Sequence, residues 1–124
     1  MVGELEQALR DVRETLLSKP VSPRVESPAD IDRHYCRYVA ETVVDRVGDR
    51  DDLQILEDGG GGVVHTWLVC DGRHYDAECP EGVDDYRDLP FFERNPRAAR
   101  GVRVGTSDQA KVRNRGRRSL YPDL

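Results

Sequence analysis

The chain has 124 residues, 37% of them hydrophobic and 35% charged, with a mean hydropathy of -0.71 and a net charge of -5. That length sets one domain with a modest core, and the charge content leaves part of the chain unpacked. No apolar run approaches the roughly 18 residues of a membrane span, and the acidic N-terminal stretch MVGELEQALRDVRETLL lacks the positive start and apolar centre of a secretion signal, so the expected location is the cytoplasm.

Residues 4–17 repeat Leu5, Leu9, Val12, Leu16 and Leu17 at helical spacing, which predicts an N-terminal helix within residues 1–19. Residues 20–28 read as a Pro/Ser-rich linker. A second helix is expected from Ser27 or Asp30, with Ser27 as N-cap and Pro28 at the first helical position. Ile31, Tyr35, Tyr38, Val39, Thr42, Val43 and Val47 give it an apolar stripe, and Gly48 a C-terminal stop. Leu53–Leu56 is a short strand candidate. The four glycines that follow imply either mobility or a close backbone approach. Residues 63–70 and 73–78 form a hairpin around Asp71-Gly72. Phe91 and Phe92 are expected to anchor an irregular segment on the core. The fold class is therefore α+β: an N-terminal helix, a site-bearing helix and a small antiparallel sheet in residues 1–93, then a basic, extended tail in residues 94–124 in which Tyr121 and Leu124 dock back.

Charge follows the same division. Residues 1–93 carry 22 acidic and 10 basic side chains, and residues 94–124 carry 9 basic and 2 acidic. The bases are 17 Arg to 2 Lys, and 15 of the 24 acids are Asp, a balance that suits a halophilic, acidic protein whose self-repulsion is screened by salt. A GC-rich genome also favours Arg over Lys. The tail is expected to meet a protein or nucleic-acid partner, its arginines suiting phosphate contacts, although it has no aromatic residue before Tyr121 for base stacking.

With a two-residue turn, the facing residues of the hairpin sum to 143. Trp67 then faces Asp76, and His65 faces Glu78. One face carries His65, Trp67, Val69, His74, Asp76 and Glu78; the other, with Val64, Thr66, Leu68, Cys70, Arg73, Tyr75 and Ala77, reads as core. A histidine beside a carboxylate is held in one tautomer and its cation is stabilised, as a general base requires. A nucleophile would have to come from elsewhere. The three cysteines, 34 and 9 residues apart, match neither a disulfide framework nor a zinc finger. Cys70 and Cys79 lie too close to the hairpin to sit over His65, whereas Cys36, near a helix start, feels the dipole that lowers a thiol pKa.

The segments HYCRYVAETVV, GGGGVVHTWLV and DGRHYDAE, within residues 33–80, resemble the papain-like/transglutaminase-like cysteine hydrolase superfamily in its minimal, phage-protein-sized members. The resemblance implies Cys36 as nucleophile, His65 as base and acid, and Asp76 as orienter, with Trp67 packed beside the site. Trp67, His34 and Glu78 are expected on the substrate side, His34 as a second oxyanion donor beside the Cys36 N–H, since no upstream Gln or Asn fills that role. The expected activity is hydrolysis or acyl transfer at an amide or ester carbonyl, on a peptide or other amide-containing substrate, with no cofactor and no membrane. The alternatives are a non-enzymatic scaffold of the same fold, in which Cys36 is simply a small buried residue, and a metal site drawn from Cys36, His65 and His74.

Overall fold

The computed structural model describes residues 2–48 and 50–102. The tail from residue 103, with the expected docking of Tyr121 and Leu124, lies outside the described residues. Helix α1 spans Val2–Ser18, and its apolar positions Leu5, Leu9, Val12 and Leu16 are all buried. Ser27 caps α2, Pro28–His34, accepting from the Asp30 N–H with Pro28 in the first turn, as the start rules require. The single helix expected from here to Val47 is two. The chain breaks at Tyr35 (φ -131°, ψ 19°), and α3 runs from Cys36 to Val47, closed by Gly48. The break has a tertiary cause: the Tyr35 ring is buried, and its hydroxyl donates to the Pro23 carbonyl at 2.8 Å.

Three strands form an antiparallel sheet in the order β1-β2-β3: β1 is Leu53–Gly60, β2 Val63–Cys70 and β3 Arg73–Tyr75. β1 is twice the expected length because Glu57, Asp58, Gly59 and Gly60 continue the ladder, the glycines pairing with Val64 and Val63. The glycines serve close approach. A Cβ on Gly59 would stand 2.7 Å from the Val63 carbonyl oxygen, and one on Gly60 would collide with Arg100. The Asp71-Gly72 turn has positive φ at both residues (52° and 78°), the geometry that matches strand twist. It sets the pairs Cys70–Arg73, Val69–His74 and Leu68–Tyr75, each summing to 143.

The expected second strand to residue 78 is cut short. Asp76 turns the chain, its Oδ1 accepting from the Glu78 and Cys79 N–H groups at 3.0 and 2.9 Å, a side-chain turn that competes with strand continuation. The Trp67–Asp76 and His65–Glu78 strand pairs therefore do not form. The chain returns so that Val83 exchanges two backbone hydrogen bonds with His74.

Both sheet faces are buried. Leu53, Ile55, Leu68, Cys70, Tyr75 and Ala77 meet α1 and α3 on one side. On the other, Leu56 and Trp67 meet Leu89, Phe91, Phe92 and Ala98 from a short helix α4, Pro90–Arg94, and its flanking 3-10 turns. Phe91 and Phe92 are anchors, as expected. Packing continues past the expected boundary at residue 93: Asp58, buried in β1, accepts from the Tyr86 hydroxyl and from the Arg100 and Gly101 N–H groups at 3.0–3.1 Å. No helix among the described residues is long and apolar enough to cross a membrane.

Candidate active site

The break at Tyr35 decides where the thiol stands. Had one helix run from Pro28, Cys36 would lie two turns inside it. Instead it is the first residue of the 12-residue α3, where the amides ahead of the first helical acceptor and the positive end of the dipole favour an anion. α3 packs over β2 with this end beside His65 and Thr66.

His65 is fully buried. Its ring stacks on Phe91 at 4.3 Å between centroids and lies 5.8 Å from Trp67. Its Nε2 meets Asp76 Oδ2 at 2.9 Å. The early end of β3 makes this bond possible, because it frees Asp76 from the ladder and lets it turn toward the ring. Asp76 accepts the Nε2–H and fixes the tautomer, leaving Nδ1 as the lone-pair nitrogen. That Nδ1 is buried and makes no hydrogen bond in this geometry. The half-buried Cys36 thiol is electrostatically coupled to the ring.

The electrostatics follow from the contacts. Burial pushes the Cys36 thiol up, but the proximity and charge of His65, with support from the backbone and hydroxyl of Thr66, outweigh it and the thiol is lowered from its ordinary value. Burial pulls His65 down, yet the bond to Asp76 and the neighbouring Cys36 lift it to about 9. Both shifts favour transfer of the Cys36 proton to His65, with Asp76 stabilising the resulting cation. The other thiols go the opposite way: burial raises Cys70, and burial with the nearby Glu81 raises Cys79 to about 11.

The fold thus brings Cys36, His65 and Asp76 together, with Trp67 beside them. Two expected residues do not join. Glu78 sits opposite Arg94, which donates two hydrogen bonds to it at 2.8 and 2.5 Å. His34 is exposed at the end of α2 against the Tyr35 ring and does not line the space around Cys36. His74 is likewise occupied, accepting at Nδ1 from the Trp67 indole N–H at 2.9 Å, so Cys36, His65 and His74 do not form a metal set. Among the described residues, a different set has ligand atoms within 4.8 Å of one another, namely Asp32, His65 and Asp76, all buried.

Three neighbours escaped the sequence reading. Thr66 falls on the core face by alternation, and nothing local marks it as a neighbour of the thiol. Phe91 was read only as an anchor. Asp32 did leave a signal: it lies four residues before Cys36, hence on the same side of the helix predicted there. The chain matches no family model, and no curated protein or solved structure is significantly similar to it.

Proposed function

We propose that this chain is a thiol-dependent hydrolase or acyltransferase acting on amide or ester carbonyls, and a minimal member of the papain-like/transglutaminase-like superfamily. One observation carries the reading: a buried His65 bonded to Asp76 at 2.9 Å, with the lowered Cys36 thiol at a helix start beside it.

The chemistry uses these groups in order. The Cys36 proton passes to His65, and the sulfur attacks the carbonyl carbon to form a C–S bond. The oxyanion is met by the Cys36 N–H at the start of α3. The imidazolium returns its proton to the leaving nitrogen or oxygen as that bond breaks, which leaves an acyl-thioester. Water or an amine then attacks, His65 takes its proton, the C–S bond breaks and the thiolate is restored. Asp76 stays a carboxylate throughout and holds the ring. A peptide or isopeptide carbonyl is the substrate class the family reading supplies.

A second reading has its own support. The space between Leu9, Asp32, Cys36, Val39, Thr66 and Asp76 is too small for a water molecule. A scaffold that uses the triad only for packing would look this way.

The two readings part on one experiment. A p-nitrophenyl ester mixed with the full chain releases a burst of one nitrophenolate per molecule, and mass spectrometry finds the acyl group on Cys36. Cys36→Ala and His65→Gln abolish both signals. Slow release without a burst, or acylation spread over Cys70 and Cys79, refutes the hydrolase and leaves the scaffold.

A further inference from the structure

Asp32, on α2, is 1% exposed, and neither carboxyl oxygen has a hydrogen-bond partner in the present geometry. An ionised carboxylate is not tolerated in that state, because burial without donors leaves its charge unsolvated. Its surroundings offer acceptors. Asp76 and Glu78, from the turn after β3, are its carboxylate neighbours, and one of its oxygens lies within 4.8 Å of an oxygen of Asp76 and of a His65 ring nitrogen.

The donors already placed decide which acid holds a proton. Asp76 receives three, from the Glu78 N–H, the Cys79 N–H and His65 Nε2. Glu78 receives the Arg94 guanidinium from α4. Arg13, from α1, is directed to the Ala77 carbonyl at 3.2 Å. Asp32 receives none. Burial first, then the charges of Asp76 and Glu78, push its pKa well above the ordinary carboxylate value.

The geometry points to Asp32 as a positioning residue: a neutral carboxylic acid that donates its proton to the Asp76 carboxylate and so holds the acid that holds His65. This rests on the Cys36–His65–Asp76 reading for its consequence, but not for its existence. The chain of contacts runs Cys36, His65, Asp76, Asp32, Glu78 and Arg94, from the thiol to the surface. It explains how two buried carboxyl groups share one site: only one of them is charged.

Asp32→Leu keeps much of the volume and removes the donor. Asp32→Asn restores a neutral donor. In full-length protein, the pH-rate profile of Cys36 alkylation by iodoacetamide falls about tenfold at pH 7 in Asp32→Leu and shifts its midpoint, while Asp32→Asn returns the midpoint to within about 0.3 of the parent, tenfold being about one pKa unit. Infrared difference spectra of parent against Asp32→Asn at pH 7 contain the carbonyl stretch of a protonated carboxylic acid. This second readout does not require Asp32→Leu to fold or Cys36 to be reactive. A sluggish Cys36 in the parent would sink the hydrolase, yet the acid band would still support this proposal. Absence of that band, an Asp32→Asn midpoint shifted by a full unit, or stoichiometric zinc lost in Asp32→Asn would each overturn it.

Discussion

Replacing Asp76 by Asn tests the site at its narrowest point. Asparagine keeps a carbonyl oxygen for the Glu78 and Cys79 N–H groups, so the turn survives. Toward His65 it turns an NH2 donor where the carboxylate accepted. Nε2 must then accept, the ring proton moves to Nδ1, and the nitrogen left for Cys36 no longer has a free lone pair. The Asp76 charge that helps lift His65 to about 9 is also gone, so its pKa falls toward the ordinary 6.5, a full return being worth about 3 kcal/mol of imidazolium stabilisation. A full return would turn the ring from mostly imidazolium to mostly neutral at pH 7.5. Because the thiolate depends on that cation, iodoacetamide alkylation of Cys36 at pH 7.5 slows about tenfold and its low-pH shoulder disappears. The assay is timed alkylation from pH 5 to 10 with peptide mass spectrometry, alongside circular dichroism to verify the fold. A folded Asp76→Asn whose profile superimposes on the parent would refute the reasoning.

Two further outcomes follow from buried acids. The pKa of Asp32 is higher in the folded chain than in the unfolded one, so the folded state holds a proton that the unfolded state releases above about pH 4. The parent therefore loses stability with rising pH relative to Asp32→Asn, by up to about 1.4 kcal/mol per pH unit, until the folded pKa is passed. Urea unfolding of both proteins between pH 4 and 8 reads the difference, and a flat difference contradicts a neutral Asp32. Asp58→Ala strips the acceptor from the Tyr86 hydroxyl and from the Gly59, Arg100 and Gly101 N–H groups. We expect a loss of about 2–4 kcal/mol, the scale of bonds to a buried charge, and hydrogen exchange accelerated first at Arg100 and Gly101. Equal acceleration across β2 would show that Asp58 does not pin that segment.

Some of this could be read directly from the chain, because the signals are local. Helix spacing in residues 4–17 located α1, Ser27-Pro28 located the start of α2, and Asp71-Gly72 located the hairpin with its register. Each depends on residues a few positions apart, whose backbone preferences act whatever the rest of the chain does. From the same signals came Cys36, His65 and Asp76 as candidates.

What brings those three together is not local. The helix breaks at Tyr35 because its ring is buried and its hydroxyl reaches Pro23, twelve residues upstream. β3 stops at Tyr75 because Asp76 accepts from the Glu78 and Cys79 amides of the turn and from a histidine on the neighbouring strand. Alternation along an ideal hairpin put Glu78 opposite His65; the turn sent it to Arg94 instead. Sequence thus chose the residues that can do the chemistry and the elements that carry them. Burial and hydrogen-bond competition between distant segments decided which of those residues meet, since burial and pairing at each position exist only once the whole chain is packed.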